Sequence, residues 1–100
     1  YIIQSLDKKI GIQDIATGKG LTTNELLKEM EKIVETGTRL NLSHIILEMM
    51  DQEEREDIHD FFKETKTFSF NEARVEFEEE VFSDDEIRLL RIDFISQVAN

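Results

Sequence analysis

The stretch Ile12-Gln13-Asp14-Ile15-Ala16-Thr17-Gly18-Lys19-Gly20-Leu21-Thr22-Thr23-Asn24-Glu25-Leu26-Leu27-Lys28-Glu29-Met30-Glu31-Lys32 decides how this chain is read. Ile12, Ile15 and Ala16 mark a short helix from Ile12 to Thr17. Gly20 follows Ala16 by four residues, then comes Leu21, and a second periodic segment opens at Thr22 or Thr23. A small residue lets two helices cross closely, a glycine takes the tight turn, and the second helix projects outward; this is the spacing of a helix-turn-helix. The segment from Tyr1 to about Lys9, with Ile2, Ile3 and Leu6, supplies the supporting first helix. One departure is clear. The usual pattern buries an apolar residue eight positions after Leu21, and Glu29 stands there. The apolar face falls instead on Leu26, Met30 and Ile33, so the second helix is expected to be rotated or longer.

Outward from this stretch the signals remain helical. Proline is absent, and the four glycines, Gly11, Gly18, Gly20 and Gly37, all precede Thr38. Thr22-x-x-Glu25, Ser69-x-x-Glu72 and Ser83-x-x-Glu86 match the capping box, and Asp51-x-x-Glu54 is its Asp variant. In each, the short side chain accepts from orphan N–H groups of the first turn while the acid favours the positive end of the dipole. Further helices are expected over Thr23–Thr36, with Gly37 as left-handed cap, Ser43–Met50 with Ser43 as cap, Gln52–Glu64, Phe70–Phe82 and Asp84–Val98. Thr38–Leu42 alternates polar and apolar residues and reads as extended, a candidate for one short strand. The last helix carries two apolar stripes, Ile87, Leu90, Phe94, Val98 and Leu89, Ile92, Ile95, Ala99. Such a helix belongs at the centre of its neighbours. The expected fold class is all-α, with six or seven helices: a helix-turn-helix-like N-terminal unit packed with a C-terminal helical bundle.

At 100 residues, 39% apolar and 35% charged, the chain suits one globular domain over 1–100 and is too apolar for a disordered tail. No cysteine is present, which removes disulfides and thiolate metal sites. The longest apolar run is Ile45-Ile46-Leu47, so no membrane span is expected. No signal segment opens the chain, so a cytoplasmic setting is the default. Tyr1 falls in mid-pattern, as in a piece of a longer protein. The net charge of −11 is unevenly placed: residues 1–42 hold six bases and six acids, whereas 43–100 hold six bases and 17 acids. Two parts with different partners are implied, and the acidic part argues against contact with a phosphate backbone.

Candidate nucleic-acid-binding residues are therefore confined to the neutral part: Lys19 in the turn, Thr22, Thr23, Asn24, Lys28 and Lys32 on the second helix, and Arg39. They compete with Glu25, Glu29 and Glu31, and the second helix has no arginine to fork onto guanine. Three readings stay open: a helical hairpin that binds nothing, sequence-independent DNA contact, and protein contact. Arg88 and Arg91 are expected to seek Asp84 and Glu86 on their own helix, with only Arg88–Asp84 at favourable spacing. Arg55 and Arg74 sit among acids and are expected to be paired; Arg39 is expected to be less engaged.

Other chemistry is weakly signalled. Gly18-Lys19 lacks the earlier glycine of a phosphate loop, since Gln13 stands there, and Gly20 replaces its Ser or Thr. His44 and Glu48 stand four apart, half a metal site at most, and both histidines are expected to face solvent or a helix cap. Glu78, Glu79, Glu80, Asp84 and Asp85 lack the alternating ligands of a calcium loop and read as a solvated face. No catalytic or metal-ligating set emerges, and neither catalysis nor a cofactor is expected of this chain alone.

The run Asp7-Lys8-Lys9-Ile10-Gly11-Ile12-Gln13-Asp14-Ile15-Ala16 resembles the helix-turn-helix segment at the C-terminus of some bacterial RecQ-type DNA helicases. Gly20-Leu21-Thr22, Glu25-Leu26, Glu29-Met30-Glu31, Gly37-Thr38-Arg39-Leu40-Asn41, and the ending from Arg88-Leu89-Leu90-Arg91-Ile92 to Val98-Ala99-Asn100 fit it too. The resemblance implies a parent that unwinds DNA in the 3′ to 5′ direction with ATP and Mg, in recombination and repair. This chain would be its non-catalytic accessory tail, touching DNA weakly or tuning the motor. A second possibility is an acidic tail that docks on the parent's basic surface, or on another protein, without binding DNA.

Overall fold

Each of the four capping sequences opens a helix. The computed structural model describes residues 1–66, 69–78 and 81–98, and among them runs seven helices. These are α1 (Ile2–Asp7), α2 (Ile12–Lys19), α3 (Thr23–Glu35), α4 (Ser43–Met49), α5 (Gln52–Thr65), α6 (Phe70–Glu76) and α7 (Asp84–Val98). Both bonds of the capping box are made at Thr22 and Glu25, at Asp51 and Glu54, and at Ser83 and Glu86. Ser69 Oγ accepts from the Glu72 N–H at 3.3 Å. Gly37, at φ 89°, takes the left-handed position that closes α3.

The two-striped α7 is the central helix and packs against α3, α4, α5 and α6. Ile87, Leu89, Leu90, Ile92 and Phe94 are buried along it. Against it lie Leu26, Leu27, Met30 and Val34 of α3, and Ile58 and Phe62 of α5, in one continuous core that also takes in Leu6 and Ile15. Each such side chain contributes about 1.5–3 kcal/mol by leaving water. A chain of rings joins the C-terminal elements. Phe82 meets Phe77, Phe77 meets Phe61, Phe61 meets Phe62, Phe62 stacks on Phe94, and Phe94 meets His59, all at centroid separations of 5.3 to 5.7 Å.

Four expectations are corrected. Thr38–Leu42 is irregular and forms no strand; Ser96 ties it to α7, its Oγ accepting from the Leu40 N–H at 2.7 Å and donating to the Leu40 carbonyl at 3.1 Å. A side chain thus does what a neighbouring strand would do. Ser43 is the first helical residue of α4 and makes no capping bond; Leu42 holds the N-cap position. The helix expected over Phe70–Phe82 stops at Glu76, with Phe77 in extended backbone. Arg74 fixes that stop, because its Nη2 donates to the carbonyls of both Phe77 and Phe82 and so folds the following segment back. Val81 is consequently exposed rather than buried. Val98, at the end of its stripe, is exposed as well, while Ala99, Glu79 and Glu80 lie outside the described residues.

A buried polar triad ties α5 to α7. Arg55 Nε and Nη2 each donate to Asp93 at 2.9 Å, and His59 Nε2 donates to Asp93 Oδ2 at 2.7 Å. His59 is therefore half-buried on a carboxylate, not turned to solvent. Burial by itself pushes the Asp93 carboxyl up, but the hydrogen bonds from His59 and Arg55, with their charge, outweigh it and hold the group below its ordinary value. Asp93→Asn should cost about 3–5 kcal/mol in urea unfolding near neutral pH, because Arg55 is left buried with half its partner gone. Arg55→Leu combined with Asp93→Leu should recover most of that loss. The folded-state value lies below the unfolded one, so the stabilisation is complete above about pH 4 and is lost as pH falls through the folded value. An acid titration of stability should therefore be steeper below that point in the native chain than in Asp93→Asn.

Candidate nucleic-acid interface

The turn between α2 and α3 forms as its residues dictate. Ala16 and Ile15 are buried where the two helices meet. Gly20 adopts φ 69°, the left-handed conformation that costs glycine least. The Leu21 N–H then donates to the Ala16 carbonyl at 2.9 Å, and the Gly20 N–H to the Thr17 carbonyl at 3.1 Å. Thr22 caps α3: its hydroxyl accepts from the Glu25 N–H at 3.1 Å, and Glu25 Oε1 accepts from the Thr22 N–H at 2.9 Å. The hydrogen bond from the Thr22 N–H first, and then the Thr22 hydroxyl acting on the carboxylate, hold the exposed Glu25 carboxyl below its ordinary value, with Lys28 adding to the effect.

The departure at Glu29 is resolved by the packing of α3. The helix runs 13 residues and buries Leu26, Leu27, Met30 and Val34, with Ile33 half-buried. Glu29 falls on the flank toward α2, where its Oε2 lies 3.5 Å from Lys19 Nζ. The opposite flank faces α7. There Arg88 donates to Asn24 Oδ1 at 2.7 Å and to Glu31 Oε1 at 2.8 Å. Arg91 lies 3.5 Å from Glu31 and 3.8 Å from Glu35. These pairings correct the expectation that Arg88 and Arg91 would turn to acids of their own helix. A half-buried pair loses less to solvent than an exposed one four residues apart, which is worth only about 0.3–0.5 kcal/mol. Asp84 instead takes Arg74 at 2.7 Å.

The seven candidate residues are thus not one surface. Thr22 is engaged in the cap and Asn24 by Arg88. Thr23 is half-buried and lines a groove between α2, α4 and α7. Lys19 and Lys32 share a hollow of about 340 Å³ with Tyr1 and Glu29. Lys28 and Lys32, one turn apart on the outward side of α3, are exposed and form no ion pair among the described residues. Arg39 is engaged too: its Nη2 donates to the Gln97 carbonyl at the end of α7, 3.0 Å away. Sequence reasoning overlooked the part played by Arg88, Arg91 and Ser96. Their partners lie more than 50 residues away, beyond any local spacing rule.

His44 is half-buried, and its Nε2 donates to the Ile10 carbonyl at 3.1 Å, pinning α4 to the turn after α1. Among the described residues no three His, Asp or Glu side chains gather as a metal site. No helix among them is long and apolar enough to cross a membrane.

A supporting helix, a glycine turn and a capped projecting helix, covered from behind by a fourth element, define a helix-turn-helix unit. Residues 1–46 match the family model described as RecQ-1-like, helix-turn-helix domain, so this segment is similar to the helix-turn-helix unit of RecQ-type proteins. No curated protein matches the chain.

Thr22→Ala should lower stability by about 1 kcal/mol in urea unfolding, the ordinary cost of a lost N-cap. Arg88→Met should cost about 1–3 kcal/mol, because Glu31 then keeps a half-buried charge without its closest partner. A neutral result for Arg88→Met would show that α7 does not hold that flank of α3.

Proposed function

We propose that residues 1–46 are a non-catalytic, DNA-contacting accessory module of a RecQ-like 3′–5′ helicase acting in recombination and repair. ATP, Mg and the motor belong to other parts of that parent. The observation that carries this reading is the partition of charge on α3. The helix holds two lysines and four glutamates. Yet Glu29 is drawn to Lys19, Glu31 and Glu35 to Arg88 and Arg91, and Glu25 into the cap. What α3 turns outward is a face centred on Lys28 and Lys32.

Two point charges without a guanidinium fork suit phosphates rather than base edges. Contact is therefore sequence-independent and weak, and it serves to keep the module near DNA that the motor handles. Fluorescence titration of the chain with single-stranded, duplex and forked DNA at low salt tests this. Binding should weaken with salt, and Lys28→Glu combined with Lys32→Glu should abolish it. Replacing one lysine by Gln should reduce the slope of log affinity against log salt by roughly 1. Absence of binding to all three DNAs, or binding unchanged in the double variant, sinks the proposal.

A further inference from the structure

A second surface lies at the other end of the helix-turn-helix. The starts of α2, α3 and α7 and the end of α4 enclose a groove of about 530 Å³. Ile12, Met49 and Leu89 give it an apolar lining, and Asp14, Glu48 and Asp85 bring three carboxylates. All three acids are exposed, and none forms an ion pair among the described residues. Asp14 and Asp85 stand in the first turns of their helices, where the dipole favours an acid. Glu48 does not: it sits in the last turn of α4, where the dipole opposes it, and it faces two like charges across the groove. Helix stability therefore gives no reason for an acid at Glu48. Met49 is likewise 37% exposed, although it lies beside the core.

We infer that this groove docks a protein segment carrying Lys or Arg beside an aliphatic side chain. The cations relieve the three unpaired carboxylates, and the aliphatic group covers Ile12 and Met49. The same charges repel a phosphate backbone, so the occupant is a basic peptide and not nucleic acid. This surface does not depend on DNA contact through Lys28 and Lys32, and either can fail alone.

Titration of the isotope-labelled chain with a short peptide of alternating Lys and Leu, followed by NMR and by fluorescence anisotropy, tests the assignment. Resonances of Gly11, Gln13, Thr23 and Met49 should move, and the counterparts with Glu for Lys or Gly for Leu should not bind. Glu48→Gln combined with Asp85→Asn should weaken binding roughly tenfold, and Met49→Ser should weaken it as well. Glu48→Gln alone should keep or raise the thermal midpoint, which separates lost binding from lost folding. Asp57→Asn combined with Asp60→Asn, on exposed positions of α5, should leave affinity within twofold of the native chain, on the scale where a tenfold change is a lost contact. Shifts spread along α5, affinity unchanged in the groove variants, or duplex DNA moving the groove resonances would each overturn the assignment.

Discussion

Burial of α7 is the constraint on which the other elements depend. A helix apolar on two sides has no stable position at a surface, so every neighbour is arranged to cover one of its sides. α3 and α4 lie along it, and α5 and α6 close it. The polar atoms of α7 follow the same logic. Asp93, set among Leu89, Leu90, Ile92 and Phe94, is tolerable only because Arg55 and His59 saturate its oxygens. Ser96 is equally committed, to both backbone groups of Leu40. These bonds fix which neighbour covers which side, a matter that apolar contact alone leaves loosely specified.

The family match ends at residue 46, yet the physical unit does not. Leu26, Leu27 and Met30 of the matched segment lose their exposure to a core that includes α7. Glu31 is neutralised from α7 as well. The helix-turn-helix is thus a local design whose rear wall comes from the opposite end of the chain. Its projecting helix shows a basic side because two arginines of α7 draw acids off one flank.

Local signals were legible in the sequence, and long-range partnerships were not. The four capping boxes, the left-handed Gly20 and Gly37, the helix-turn-helix spacing and the centrality of α7 all follow from residues within a turn or two of one another. The candidate residues were drawn by the same local logic, which could not foresee that Arg88 would engage Asn24. Arg88 turned from Asp84 to Glu31 because a half-buried partner outweighs an exposed one. The end of α6 depends on Arg74 reaching two carbonyls, one of them eight residues on, in a stretch with no glycine or proline to announce a break. A visible hint of the triad was Asp93 itself, a single acid within an apolar run, but nothing local names Arg55 as its partner.

The outward face of α3 is small and positive on a body whose net charge is −11. A molecule of this kind meets any polyanion under two opposing fields of different range. Repulsion from the body acts at a distance, whereas attraction to Lys28 and Lys32 acts near contact. At a Debye length of about 10 Å in 0.1 M salt the distant field fades first. Encounters are then slow in dilute salt and become selective for orientation, since only one approach avoids the acidic sides. Such a face orients an approaching polyanion more than it attracts one.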